Sequence, residues 1–268
     1  MSQTDNRRAL RVLQITDPHL MADPAGALLG VNTRESLDAV IGEVLRCHPE
    51  PDLVLATGDL AQDGSAAAYQ VFRDKLACLP CRSLWIPGNH DDRTVMAGVV
   101  VGSDVACRHV VLGGWQFLML DSSVPGKVHG ELADAELDFL ADTLARNPGL
   151  PAMVVLHHHP VDVSARWMAE IGLRNRDAFW HIIDRFPQVR VVLWGHVHQE
   201  LDRVRNGVRL LASPSTCIQF APDSDGFAVE ALPPGYRWFE LYPGGTFDTG
   251  IRRADSFTFR LDHNSTGY

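Results

Sequence analysis

The chain has 268 residues, 24 basic against 33 acidic, and a formal net charge of -9. That balance excludes a basic surface for tracking nucleic-acid phosphates, so an anionic ligand would have to be held by something local and strongly positive. Hydrophobic residues make up 46% of the chain, enough for a sizeable core, yet no run reaches the roughly 18 apolar residues of a membrane span and the start is unlike a signal peptide, which predicts a cytoplasmic protein with no membrane partner. The length fits one domain over 1–268, with an extension from about Gly244 expected to pack on a sheet edge or, in a homodimer, on a second copy.

Residues 1 to 8 are polar, and Leu10 to Ile15 reads as a first buried strand that runs into Thr16-Asp17-Pro18-His19. Leu20 to Val31 is a loop long enough to shape one wall of a cleft. Asn32 followed by Glu35 is a capping box opening a helix whose Leu37, Val40, Ile41, Val44 and Leu45 recur at helical spacing. Leu53 to Ala56 is the next strand and ends in Thr57-Gly58-Asp59, where a glycine permits close backbone approach. Ala66 to Leu79 reads as a helix. It ends at Cys78-Leu79-Pro80-Cys81, a spacing shared with redox pairs but here without a thioredoxin-like context.

The strand Ser83 to Ile86 stops at Pro87-Gly88, and Asn89, His90, Asp91 and Asp92 follow at once. A turn accounts for the Pro-Gly pair but not for the ligand-type residues behind it. Val95 to Val111 is expected to hold a short helix and an edge strand, and Trp115 to Leu120 a strand ended by Asp121, a turn carboxylate or a support to the site. Leu132 to Leu144 is a helix, and Met153 to Leu156 a strand leading to His157-His158-His159-Pro160. Arg176 to Phe186 is a helix and Val189 to Trp194 a strand before Gly195-His196-Val197-His198. Strands are also expected at Arg237 to Tyr242 and Phe257 to Leu261.

Five apolar strands thus end in Asp, Asn and His residues. In α/β folds the carboxyl ends of strands are where ligand sites collect, so these residues can converge. Oxygen and imidazole donors without thiolate suit a hard or borderline divalent ion rather than a Cys-type structural zinc. Neither a Gly-x-Ser-x-Gly elbow nor a Gly-Lys-Ser/Thr loop is present.

Asp-x-His, Gly-Asp, Gly-Asn-His-Asp, His-His-Pro and Gly-His-x-His, in that order from Asp17 to His198, resemble the calcineurin-like metallophosphoesterases. His157 to Pro160, Leu173-Arg174-Asn175, Gly195 to Asp202 and Ser213 to Phe220 are most similar to the bacterial class III cyclic-nucleotide phosphodiesterases. The resemblance implies a four-layer α-β-β-α sandwich of two mixed sheets flanked by helices. It implies two divalent ions, Fe2+ or Mn2+ foremost with Zn2+ or Co2+ compatible. One would be held by Asp17, His19, Asp59 and His198, the other by Asp59, Asn89, His158 and His196, with Asp59 bridging. His158 is the expected ligand of its run, leaving His157 and His159 to support or face substrate.

The implied reaction is hydrolysis of 3',5'-cyclic AMP to 5'-AMP by attack of a metal-bound hydroxide, with His90 as general acid and Asp91 orienting it. A broader phosphodiesterase acting on linear diesters such as glycerophosphodiesters is the alternative. Substrate contacts are expected from His19, Asp59, Asn89, His90, His158 and His198, with Arg174 and Asn175 added as guesses.

Overall fold

The computed structural model describes residues 8–262. Its first sheet has the order β15-β14-β1-β4-β5. Here β1 (Leu10–Ile15), β4 (Leu53–Thr57) and β5 (Arg82–Ile86) run parallel, while β14 (Gly235–Leu241) and β15 (Phe247–Arg253) add an antiparallel edge. The second sheet has the order β10-β11-β9-β8-β7-β6. Its parallel centre is β11 (Val208–Ala212), β9 (Val189–Trp194), β8 (Ala152–Val155) and β7 (Trp115–Met119), bounded by β10 (Leu201–Arg205) and β6 (His109–Leu112). Two small hairpins, β2 (Ala27–Leu28) with β3 (Val31–Asn32) and β12 (Gln219–Phe220) with β13 (Val229–Glu230), decorate the loops.

The central strands are apolar on both faces, as expected for parallel strands covered on both sides. Side-chain alternation splits them cleanly. Leu13, Ile15, Val54, Ala56 and Trp85 pack with α1 (Thr33–Cys47), α2 (Ala66–Leu76) and α3 (Arg93–Val99). Leu118, Val154 and Val192 pack with α4 (Asp134–Arg146) and α5 (Arg176–Ile183). Between the sheets lie Val12, Leu55, Ile86, Phe117, Met153, Val155, Leu193 and Leu211. The result is the expected helix-sheet-sheet-helix sandwich.

The tail lies at a sheet edge as expected, and one other segment departs from the sequence reading. The tail after Gly244 turns back as β15 and forms the edge of the first sheet, a strand the sequence pattern did not reveal. Phe257 to Leu261, read as a strand, has no ladder: the backbone is irregular, the Phe257 and Phe259 rings stack 5.8 Å apart, and Asp262 N donates to Leu29 O. The apolar alternation is used for packing against both helical cores, not for pairing.

Helix α1 shows why its boundary was readable. The Asn32 side chain accepts from Arg34 N and Glu35 N at 3.0 Å each, satisfying two of the amides left over at a helix start. Asn32→Ala should cost about 1 kcal/mol. A urea midpoint that does not move would show that the cap contributes nothing.

Candidate metal centre

All the motif loops leave the same edge of the sandwich. Loops after β1, β4 and β5 bring Asp17, His19, Asp59, Asn89 and His90, and loops after β8 and β9 bring His157, His196 and His198. The site therefore straddles the seam between the sheets. Asp17, His19, Asp59, His157, His196 and His198 are all buried.

Holding these side chains inward requires unusual backbone. Asp17, His19, Asp59, His196 and His198 have φ between 47° and 64°, and they are five of the eight non-glycine residues with positive φ among the described residues. Such left-handed conformations cost energy and persist only where surroundings over-determine them. The motif glycines are space-makers as well. Gly58 has φ 98°, and a Cβ there would strike the His157 ring and lie 2.8 Å from Gly88 N. A Cβ on Gly195 would overlap the Thr16 hydroxyl and sit 2.7 Å from the Asp17 carboxylate.

The imidazoles have defined tautomers. His19 Nδ1 lies 2.6 Å from Gln62 Oε1 and His198 Nδ1 lies 3.0 Å from Ile218 O, and each acceptor can only take a proton. The two Nε2 atoms face each other at 3.1 Å, with Asp17 Oδ1 3.4 Å from His198 Nε2. With both rings neutral, two lone pairs at that distance would repel unless a cation lay between them. On the other side, His157 donates from Nδ1 to Thr57 O at 2.7 Å. That turns Nε2 towards Asp59 Oδ2 at 3.2 Å and Asn89 Oδ1 at 3.3 Å. Among the described residues neither nitrogen of buried His196 has a hydrogen-bond partner, and the rings of His157, His158 and His159 surround it. Buried polar atoms are normally paired, so an imidazole without a partner in this setting fits the coordination of a divalent ion.

Electrostatics agree. Burial pushes His19 down to about 3 and leaves His196 and His158 well below the ordinary imidazole range. Burial also opposes protonation of His157, but the Asp59 charge and hydrogen bond overcome it and raise that group to about 9. Burial pushes Asp59 up, but the charges of His157, His90 and His19 and the hydrogen bond to His157 together outweigh it and hold the group well below the usual carboxylate range.

Three sequence expectations change. His158 has one ring nitrogen within 4.8 Å of donors on His157 and His196. Both its nitrogens are nevertheless committed, Nδ1 to the Ser122 hydroxyl at 2.8 Å and Nε2 to Val128 O at 3.1 Å. The residue beside Asp59 and Asn89 is His157.

Asp91, expected to orient His90, is engaged by backbone amides. Its carboxylate accepts from Gly88 N at 2.8 Å, Ala61 N at 2.9 Å and Leu60 N at 3.1 Å, binding the loop after β4 to the loop after β5. Burial and then the Asp59 charge raise it to about 6. Asn175 is likewise structural, accepting from Leu132 N at 3.0 Å and donating to Leu132 O at 2.7 Å. Arg174 lines a cavity of about 330 Å³ with His159 and Asp162. His90 and Asn89 instead line one of about 460 Å³ with Asp63, Arg93 and Ser123. The His90 ring stands 5.1 Å from that of His19, and its backbone N donates to Asp59 Oδ1 at 2.9 Å.

A family model described as calcineurin-like phosphoesterase matches residues 10–200. The chain belongs to that family, whose members carry divalent metal ions. Among its relatives, the 3',5'-cyclic adenosine monophosphate phosphodiesterase CpdA of Pseudomonas aeruginosa is 45% identical over 257 residues, 96% of this chain and 94% of that protein. The protein of the same name from Escherichia coli (strain K12) is 44% identical over 262 residues, 97% of this chain and 95% of that one. A dimetal phosphatase from Danio rerio shares the fold with a TM-score of 0.71 at 16% identity, covering 92% of this chain and 97% of that chain. Among the described residues no helix is long and apolar enough to cross a membrane.

The shifted histidines set a pH dependence for the metal-free protein. His19 and His159, lowered to about 3 and about 4, stay neutral in the fold while the unfolded chain takes up protons below about 6.5, so stability is lost as pH falls. His157, raised to about 9, keeps its proton in the fold while the unfolded chain loses it above about 6.5, so stability is lost as pH rises towards 9. Thermal midpoints of metal-free protein should peak near pH 6.5; a midpoint still rising between pH 7 and 9 would contradict the charged Asp59–His157 pair.

Proposed function

We propose that this chain is a dinuclear-metal phosphodiesterase that hydrolyses 3',5'-cyclic AMP to 5'-AMP. The observation that carries the reading is the cage of buried imidazole lone pairs and carboxylate oxygens, with His19 Nε2 and His198 Nε2 only 3.1 Å apart. The similarity to CpdA proteins over nearly the whole length supports the substrate. Asp17, His19, Asp59 and His198 would hold one ion, and Asp59, Asn89, His157 and His196 the other, with Asp59 serving both. Fe2+ and Mn2+ suit this oxygen and imidazole set best, and Zn2+ or Co2+ would also be accepted.

When bound, such a pair supplies charge that neutralises the phosphodiester, lowers the pKa of a water and stabilises the attacking and leaving oxygens. The chain does the rest. Asp59, sharing its carboxylate between the loops of both sheets, fixes the spacing of the donor set. Thr57 O and Ile218 O keep His157 and His198 in tautomers whose Nε2 lone pairs face inward. His90 fronts the open cavity beside Asn89, where an incoming phosphodiester would lie, and its imidazolium can protonate the ribose 3' oxygen as the P–O3' bond breaks. Water supplies the new oxygen on phosphorus, and the phosphate stays on the 5' carbon.

Chelation should abolish turnover of cyclic AMP and Mn2+ should restore it; full activity in metal-free protein would end the proposal, and faster turnover of a glycerophosphodiester would replace the substrate. His90→Ala should keep both ions and lose about 10²–10⁴-fold in kcat. His157→Ala should lose metal whereas His158→Ala should keep it, as read by metal analysis of the purified variants. The opposite order would restore His158 as the ligand.

A further inference from the structure

Arg237 is the one arginine among the largest fully buried side chains, 1% exposed, and it sits on β14 where the two sheets meet. Its hydrogen bonds all go to neutral groups: Ser213 Oγ at 3.1 Å, Ala212 O at 2.8 Å, Leu201 O at 3.4 Å and Thr249 Oγ1 at 3.4 Å. Burial pushes it down to about 10, so it remains a cation at neutral pH. Glu200 and Asp202 supply opposite charge from a distance, yet among the described residues no carboxylate contacts the guanidinium, and a buried cation so placed calls for a reason.

The reason lies in what Ser213 does next. Its hydroxyl donates to Gln14 Oε1. Gln14 Nε2 donates to Thr57 Oγ1 at 2.8 Å and to Trp194 O at 3.0 Å. Thr57 donates to Thr16 Oγ1 at 2.6 Å, and Thr16 donates to Asp17 Oδ2 at 2.5 Å. Gln14, Thr16, Thr57 and Ser213 are fully buried. The chain has one polarity because its ends allow no other: a guanidinium only donates and a carboxylate only accepts. Every proton between them points towards Asp17.

We infer that Arg237 is a positioning residue that acts through Ser213, Gln14, Thr57 and Thr16 to fix the Asp17 carboxylate for the ion it shares with His19 and His198. The Thr16 hydroxyl holds Oδ2, the His196 backbone N–H lies 3.1 Å from both oxygens, and Asp17 Oδ1 faces His198 Nε2 at 3.4 Å. Partners of this kind typically set metal affinity by 10–100-fold. This inference rests on the dinuclear reading above and concerns only one of the two ions.

The test is calorimetric titration of metal-free full-length protein with Mn2+, with circular dichroism as the check on folding. Wild type should take two ions. Arg237→Met and Thr57→Val should each weaken one of them by about 10–100-fold and leave the other unchanged. Thr57→Val keeps the backbone carbonyl that holds His157, so a loss confined to one ion reports the hydroxyl relay and not general loosening. Because both substitutions cut the same chain, the double variant should bind no more weakly than the weaker single. Unchanged affinity in either single, or effects that multiply in the double, would overturn the relay. If Arg237→Met does not fold, Ser213→Ala cuts the same link and is read the same way. A wild type that takes up no Mn2+ would overturn the dinuclear reading itself.

Discussion

The structure depends on a contradiction that the protein alone does not resolve: a knot of imidazole and carboxylate donors is buried without enough protons to satisfy it. Asp17, Asp59, His19, His196 and His198 have no exposed surface. Burying such groups is expensive unless they are paired. Second partners such as Thr57 O, Gln62 and Ile218 O take up the outer nitrogens of the rings, so each inner nitrogen is turned towards the carboxylates and the other rings. The geometry makes sense as a receptacle for positive charge, and the five strained φ values around it are the cost of aiming the donors at one point.

The apolar layer between the sheets makes that aim possible. Val12, Leu55, Val155 and Leu193 lock the two sheets together just before their strands end, so the loops leave from a rigid edge. The interface then changes from apolar to polar within one or two residues. Gln14, Thr16, Thr57 and Ser213 lie at that boundary, spending their hydrogen bonds on one another. They read in the sequence as unremarkable strand residues, because nothing in a linear pattern tells a polar seam from a tolerated polar position.

Much of the site was legible because each strand delivers its donors directly, with no spacer, and the order of the motifs is distinctive. The choice within His157-His158-His159 was not. Along β8, Met153 and Val155 face the other sheet while Val154 faces the helices. Continuing that alternation puts His157 towards the seam and His158 towards Ser122 and Val128. The parity was present in the sequence, but a strand apolar on both faces gives no sign of which parity looks inward. Asp91 misled for a related reason: adjacency to His90 suggested an imidazole partner, whereas its carboxylate folds back onto three backbone amides.

That use of Asp91 also bears on how the charges are divided. A carboxylate saturated by backbone N–H groups is a poor metal ligand, and one facing lone pairs is a good one. Asp59 and Asp91 lie close enough for the charge of the first to raise the second. Gly88 N, Leu60 N and Ala61 N saturate Asp91, while Asp59 Oδ1 takes the His90 amide and Asp59 Oδ2 faces the His157 imidazole at 3.2 Å. The backbone of two loops thus commits the Asp91 carboxylate to amides and leaves that of Asp59 turned towards the imidazoles. Because the same amides tie the loop after β4 to the loop after β5, the spacing of Asp59 from Asn89 and His90 is fixed by the strut that Asp91 forms.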